Sequence, residues 1–303
     1  MQCWTHPACL RHDTGPGHAE RPERLSAVLD ALHVAFPAMG WHEAPRATRG
    51  QLLRVHTQGL LDTVLETRPT QRVQLDPDTI LSPDSAEAAL RAAGAVVAAT
   101  EAVLHGPTRR AFCAVRPPGH HATADTAMGF CLFNGIAVAA AHACDEGGLE
   151  RVAVIDFDVH HGNGTEAIFR DEPRVLMCST YQYPLYPYVV GLMQPGHMVN
   201  VPLSPGAGGT ELRKAVDEQW LPELERFAPQ MIFVSAGFDA HRDDPLASLS
   251  FVEDDFEWVT SALVDVAGRH AQGRIVCALE GGYALGALGR SAAACVRALA
   301  GAA

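Results

Sequence analysis

The residues best equipped for chemistry stand together in the segment DFDVHHGNG, Asp156 to Gly164, directly after the apolar run Val152 to Ile155. Two aspartates and two histidines at the end of a core strand need compensation, because unpaired charge is costly in an apolar interior. A metal ion, a polar network or open solvent could each supply it. Asp158 and His160 are two residues apart, so an extended segment would point them to one side. Asp239, in SAGFDAHRDDP, could complete the set. Two carboxylates and one imidazole with an open position suit a catalytic Zn²⁺, and Fe²⁺ accepts the same donors. For Asp158 alone a solvated strand end competes evenly with a ligand; for all three residues it does not.

A second group fits proton transfer. His120 and His121, in RPPGHH, follow the rigid turn Pro117-Pro118-Gly119. An imidazole titrates near neutrality, so this pair can take a proton from an attacking water and return it to a leaving amine. Tyr283, in EGGY, offers a phenol that can donate to a carbonyl oxygen as negative charge develops there. Its Gly-Gly segment is expected to be free to swing.

These residues need a scaffold that brings them together, and the apolar pattern supplies one. Short β-rich runs recur at residues 111–115, 152–155, 175–178, 231–234 and 275–279. Helical patterns separate them at 85–105, 135–143, 210–227 and 254–271, with Asp84 or Ser85 as an N-cap for the first of these. The alternation predicts an α/β fold with a single mostly parallel sheet flanked by helices on both faces, in one domain over residues 1–303. Four of the runs end in the chemistry-bearing motifs. In open α/β sheets ligands bind at that carboxyl edge.

Composition narrows the function. The chain has 303 residues, is 48% hydrophobic and 19% charged, and carries a formal net charge of −12. That balance describes a globular protein and argues against a nucleic-acid footprint. The eight cysteines are scattered without a CxxC pair, which reads as free thiols in a reducing compartment. No basic n-region or apolar h-region opens the chain. The most apolar stretch, AALRAAGAVVAATEAVL, contains Arg91 and Glu101 and reads as a buried helix, so no membrane association is expected. A cytoplasmic location is expected.

The motifs GHAERPERL, RPPGHH, MGFCLFN, DFDVHHGNGT, SAGFDA and EGGY occur in an order that resembles the histone deacetylase and acetylpolyamine amidohydrolase superfamily, nearest its class II and bacterial members. The resemblance implies the arginase–deacetylase fold, with Zn²⁺ on Asp158, His160 and Asp239. It makes His121 the general base and acid, His120 its electrostatic partner and Tyr283 the carbonyl polariser. It further implies that Asp156 orients His120 and, with Ser179 and Thr180, helps to hold a structural K⁺. Gly129, Phe130 and Tyr186 match the walls of an acyl-lysine tunnel, and Leu246 and Asp78 match its rim.

Asn163 stands where class I members carry an aspartate, so His121 should be held less strongly as imidazolium. Tyr181 replaces a frequent histidine and leaves the local loop geometry open. The activity implied is zinc-dependent hydrolysis of acyl-lysine amides in proteins or peptides. Small acetylated amines such as acetylpolyamines are the alternative substrates, and a binuclear-manganese ureohydrolase is a remote one. Oligomerisation is left open.

Overall fold

The computed structural model describes residues 1–301. Its strands are β1 (Gln2–Thr5), β2 (Gly40–Glu43), β3 (Val73–Asp76), β4 (Thr79–Leu81), β5 (Arg110–Cys113), β6 (Val152–Asp156), β7 (Val175–Gln182), β8 (Met193–Gln194), β9 (Met198–Leu203), β10 (Met231–Ala236) and β11 (Ile275–Leu279). Nine form one sheet in the order β2-β1-β5-β11-β10-β6-β7-β9-β8, and β3 and β4 form a separate hairpin. Every pairing in the large sheet is parallel except β8 on β9. The expected mostly parallel α/β architecture is therefore present.

The near-continuous apolar runs have their usual cause. Every residue of β6, β7, β10 and β11 is buried, as a parallel strand with both faces covered requires. Helices Ser85–His105 and Gly135–Asp145 pack together against the sheet, and Pro22–Ala35, Glu253–His270 and Leu285–Ala300 form a second packed group. Ser85–His105 is long and apolar enough to cross a membrane by length and composition alone, but 61% of its most apolar window is buried in this fold.

Several expectations need correction. The first run is a strand over Arg110–Cys113 only, and β7 continues past Cys178 to Gln182, so that Ser179 and Thr180 lie inside a strand. The helix expected over 210–227 is interrupted by a π-helical turn at Val216–Trp220. Asp84 does not cap its helix with its side chain. Ser85 instead binds His12 Nδ1 at 2.7 Å and the Ser82 N–H at 2.6 Å. The short edge strand β2 and its neighbour β1, with β9 and the helices Pro22–Ala35 and Leu285–Ala300, were not anticipated.

The four strands that carry the motifs, β5, β11, β10 and β6, are consecutive in the sheet. Their carboxyl ends therefore open onto one shared edge.

Candidate active site

At that edge each strand stops and hands its polar residues to a loop. β6 ends at Asp156, so Asp158 and His160 do not belong to an extended segment; they sit on the bends that follow it. They nevertheless converge with Asp239, one ligand atom from each lying within 4.8 Å of the others. His160 Nδ1 is 3.1 Å from Asp158 Oδ1 and 3.2 Å from Asp239 Oδ2. Asp239 Oδ2 is buried yet makes no hydrogen bond, because its approach to the imidazole is not aligned for one.

The remaining carboxylate oxygens are committed. Asp158 Oδ1 accepts the His160 N–H at 2.9 Å, Asp158 Oδ2 the Gly281 N–H at 2.8 Å, and Asp239 Oδ1 the Val159 N–H at 2.9 Å. Glycine is required at two flanking positions. A Cβ at Gly237 would overlap Asp158 Oδ2; one at Gly281 would overlap Asp239 Oδ2 and stand 2.6 Å from Asp158 Oδ2. Burial opposes a charge on His160, but the hydrogen bond with Asp158 and the charges of Asp158 and Asp239 outweigh it and lift its pKa to about 10. This donor set demands a positive charge. An open, orphaned oxygen beside an imidazole and a second carboxylate fits a divalent cation.

His120 and His121 lie over this cluster with ring centroids 4.0 Å apart. His120 Nδ1 is 2.9 Å from Asp156 Oδ2. Burial pushes His120 down, but Asp158 and Asp156 overcome it and hold the imidazole well above its ordinary value. His121 goes the other way. Burial, then the neighbouring His120 and His160, drive it well below the ordinary value. His121 Nδ1 lies 2.7 Å from Asn163 Oδ1, which accepts the ring N–H and leaves the lone pair on Nε2. His120 is thus pushed toward the charged form and its neighbour toward the neutral one, the separation expected of a proton-handling pair.

Tyr283 is held differently from expectation. Its Gly-Gly segment is not free to swing. Besides the Gly281 bond to Asp158, the Phe238 N–H donates to Gly281 O at 2.9 Å and Arg24 Nε donates to Gly282 O at 2.6 Å. Asp244 Oδ2 accepts the Tyr283 N–H at 2.7 Å, and Asp244 Oδ1 accepts the Leu246 N–H at 3.0 Å. Burial, only partly countered by the Arg24 guanidinium 4.8 Å from the ring, raises the phenol well above its ordinary pKa. It remains a hydrogen-bond donor at any working pH.

The sequence reading missed the frame beneath these groups. Buried Glu20 receives Arg116 through both carboxylate oxygens, and Arg24 through Nη1 at 3.1 Å. Glu280 Oε2 accepts the N–H groups of Gly119 and His120 at 2.6 and 3.1 Å. Glu20, Arg24 and Glu280 lie within GHAERPERL and EGGY; the available signal was a carboxylate or arginine inside an otherwise explained motif.

A cavity of about 250 Å³ leads from the surface to His120, His121, His160 and Tyr283. Phe130 and Tyr186 form its walls, with ring centroids 5.9 Å from Tyr283 and 5.1 Å from His121 respectively. Phe130 has φ +68°, set by its N–H bond of 3.0 Å to Thr79 Oγ1, and Gly129 before it lets the chain pass so close that a Cβ would lie 2.5 Å from His121 Cδ2. Asp78 and Leu246 also line the cavity. Away from the cavity, Ser179 pairs in register with Asp156 and donates to Asn200 Oδ1 at 2.7 Å, while Thr180 Oγ1 is buried without a partner.

Comparison with known proteins agrees with this geometry. Residues 18–299 match the family model described as the histone deacetylase domain. A histone deacetylase-like amidohydrolase of Pseudomonas aeruginosa is 40% identical over 302 residues, covering 91% of this chain and 79% of that protein. A probable deacetylase of Archaeoglobus fulgidus is 36% identical over 314 residues, covering 98% and 85%. Among solved structures, the HDA15 HD domain superposes with a TM-score of 0.93 at 35% identity, over 99% of this chain and 88% of that one. The chain belongs to the histone deacetylase family and is a hydrolytic deacetylase.

Proposed function

We propose that this deacetylase hydrolyses acyl-lysine amides, with residues 1–303 acting as one catalytic unit. The observation that carries the reading is the single cavity whose aromatic walls end on two histidines and a tyrosine beside a three-donor metal set. Asp158, His160 and Asp239 would hold Zn²⁺. When bound, the ion supplies Lewis-acid polarisation of the carbonyl and acidifies water.

The chain's own residues do the rest. Phe130 and Tyr186 grip the methylene chain of the lysine and exclude water. His121 Nε2, uncharged with its lone pair free, takes the proton of the attacking water and returns it to the departing amine. His120, held charged by Asp156, keeps His121 a neutral base and stabilises negative charge nearby. The Tyr283 phenol donates to the carbonyl oxygen as charge develops there. Glu280, gripping the backbone of the His-His turn, and Asp244, gripping that of Tyr283, fix these donors in register.

Asp156, Ser179 and Thr180 are proposed to border a K⁺, supported by the unpartnered Thr180 hydroxyl and the pairing of Asp156 with Ser179. The eight free, buried cysteines support a reducing compartment such as the cytoplasm.

The competing substrate is a small acetylated amine. Leu246 offers no charge to a distal ammonium, whereas Asp78 would hydrogen-bond a peptide backbone. The test compares kcat/KM for acetyl-lysine peptides with that for acetylputrescine and acetylspermidine, in wild type and Asp78→Ala. A higher value for peptides, with KM for peptides raised in the variant, is expected. A ten-fold preference for the acetylated polyamines would overturn the assignment.

A further inference from the structure

The segment from Tyr183 to Gly191 supplies one wall and the outer rim of the cavity through Leu185, Tyr186 and Tyr188. Leu185 packs on the core, but the segment's backbone is sparsely bonded. Tyr183 N–H donates to Leu203 O at 2.9 Å at its start, and Tyr188 N–H donates to Leu185 O at 2.7 Å within it. Tyr188, Val189 and Val190 project into solvent. Such a segment would wander unless its far end were fixed.

The far end is fixed by a buried cluster that the chemistry does not use. The Tyr181 hydroxyl, on β7, accepts the Gly191 N–H at 2.8 Å. Glu166 Oε2 accepts the Leu192 N–H and Asn200 Nδ2, both at 2.7 Å. The His161 ring lies 4.8 Å from that of Tyr181, and its Nε2 is 3.2 Å from Glu166 Oε2. Gly191 presses directly on this cluster. A Cβ there would stand 2.6 Å from Asn200 Cβ and 3.0 Å from His161 Cε1. Tyr181, at 1% exposure, has its hydroxyl aimed at the rim backbone and at no reacting group.

We propose that Tyr181 and Glu166 are positioning residues that clamp the end of this rim segment and so hold Tyr186 against the substrate chain. The inference rests on reading the cavity as the acyl-lysine channel. Neither residue touches the reacting atoms, so releasing the clamp loosens the wall without altering the proton transfers. Substrate binding weakens while turnover of bound substrate persists. Tyr181→Phe removes one hydrogen bond at nearly constant volume, so KM should rise about five-fold, the value of one neutral hydrogen bond. Glu166→Ala removes the acceptor for Leu192 and Asn200, together with the His161 and Arg170 contacts, and should raise KM further. Glu166→Gln keeps an oxygen at the Oε2 position, with its amide nitrogen at the Oε1 position, and should restore most of the affinity.

The test uses the full chain with its metal, measuring kcat and KM on an acetyl-lysine peptide and amide hydrogen exchange by mass spectrometry. The expected result is a raised KM with kcat within about two-fold, and faster exchange confined to residues 183–192. An unchanged KM in both Tyr181→Phe and Glu166→Ala, a loss of kcat at constant KM, or faster exchange throughout the fold would overturn it. So would failure of both variants to fold, which would assign the cluster to the core. If the wild type does not cleave acetyl-lysine peptides, the functional reading fails instead, and local exchange in the variants still decides whether the clamp exists.

Discussion

Replacing Gly281 by alanine should empty the metal site while leaving the fold in place. The added Cβ would overlap Asp239 Oδ2 and lie 2.6 Å from Asp158 Oδ2, where carbon and oxygen normally keep ~3.3 Å or more. Asp158 Oδ2 must therefore retreat by ~0.7 Å and Asp239 Oδ2 by more, several times the ~0.2 Å that a metal–ligand distance tolerates. Relaxation of the loop is restricted, because the Gly281 N–H is bonded to Asp158 Oδ2 and its carbonyl to Phe238. Zn²⁺ affinity should fall by ~10²-fold or more, at or beyond the upper range seen for disturbed outer partners of metal ligands.

The assay is competitive titration of the demetallated protein with Zn²⁺, alongside thermal unfolding and activity at rising metal concentration. Gly268→Ala is the control. That glycine lies inside the helix Glu253–His270, and a Cβ there meets nothing within 4 Å. It should keep full metal affinity and gain on the order of 0.5–1 kcal/mol from helix propensity. Wild-type Zn²⁺ affinity in Gly281→Ala would refute the reasoning, since it would mean that the two oxygens are not where the ion needs them.

Other outcomes follow from the same geometry. Tyr283→Phe should retain metal and stability and lose on the order of 10²–10³ in kcat, as other carbonyl-polarising donors do; near-normal turnover would show that the phenol plays no such part. Asn163→Asp places a carboxylate against His121 Nδ1 and should raise the pKa of that imidazole. The neutral base is then lost at higher pH, so the acid limb of the kcat/KM profile should move upward, and an unmoved limb would remove Asn163 from the account.

Stability should fall steeply in acid. Burial opposes ionisation of Glu20, but Arg116, His12 and Arg24 depress its pKa from 4.5 to about 2. A depressed carboxylate gives stability that is present above 4.5 and lost as pH falls through the folded value. Burial lowers His12 and His56 to about 4, which removes further stability between 6.5 and 4. Glu280 and Asp244, raised to about 7 chiefly by burial, work in the opposite sense over the same range. Urea unfolding should therefore show a shallow change down to about pH 4.5 and a loss of the order of 3 kcal/mol from Glu20 below it. A profile flat to pH 3 would contradict the assignment.

The chemistry was more legible in the sequence than the means of holding it. Asp158, His160 and Asp239 could be read because each breaks an apolar run at a strand end, where a charge needs a reason. The His120–His121 pair could be read for the same cause. Their partners were hidden in plain view. Glu280 stands before two glycines with nothing in its spacing to mark it, although its carboxylate holds the His-His turn by two backbone bonds. Asp244 is equally unmarked before Pro245, although it ties Tyr283 to Leu246. No local spacing announces such roles, because they depend on pairings between residues 39 to 161 positions apart.

The freedom assigned to the Gly-Gly segment was misjudged because glycine signals close approach as readily as motion. Here the approach is to two carboxylates. Among the strands, β1 and β2 escaped notice because each has only four residues, and Trp among polar residues makes no apolar run. In β9, Asn200 and Pro202 interrupt the apolar pattern, and the strand is held by its register on β7.

The central claim is that a cation on Asp158, His160 and Asp239 and the neighbouring His121 and Tyr283 together cleave an acyl-lysine amide. The most direct measurement is metal content and acetate release on one preparation, before and after chelation and again after readdition of Zn²⁺. The account requires one equivalent of metal per chain, stoichiometric acetate and deacetylated peptide from an acetyl-lysine peptide, loss of both metal and activity on chelation, and recovery of both with Zn²⁺. Two equivalents of manganese with hydrolysis of a guanidinium substrate, or full acetate release from the chelated protein, would contradict it.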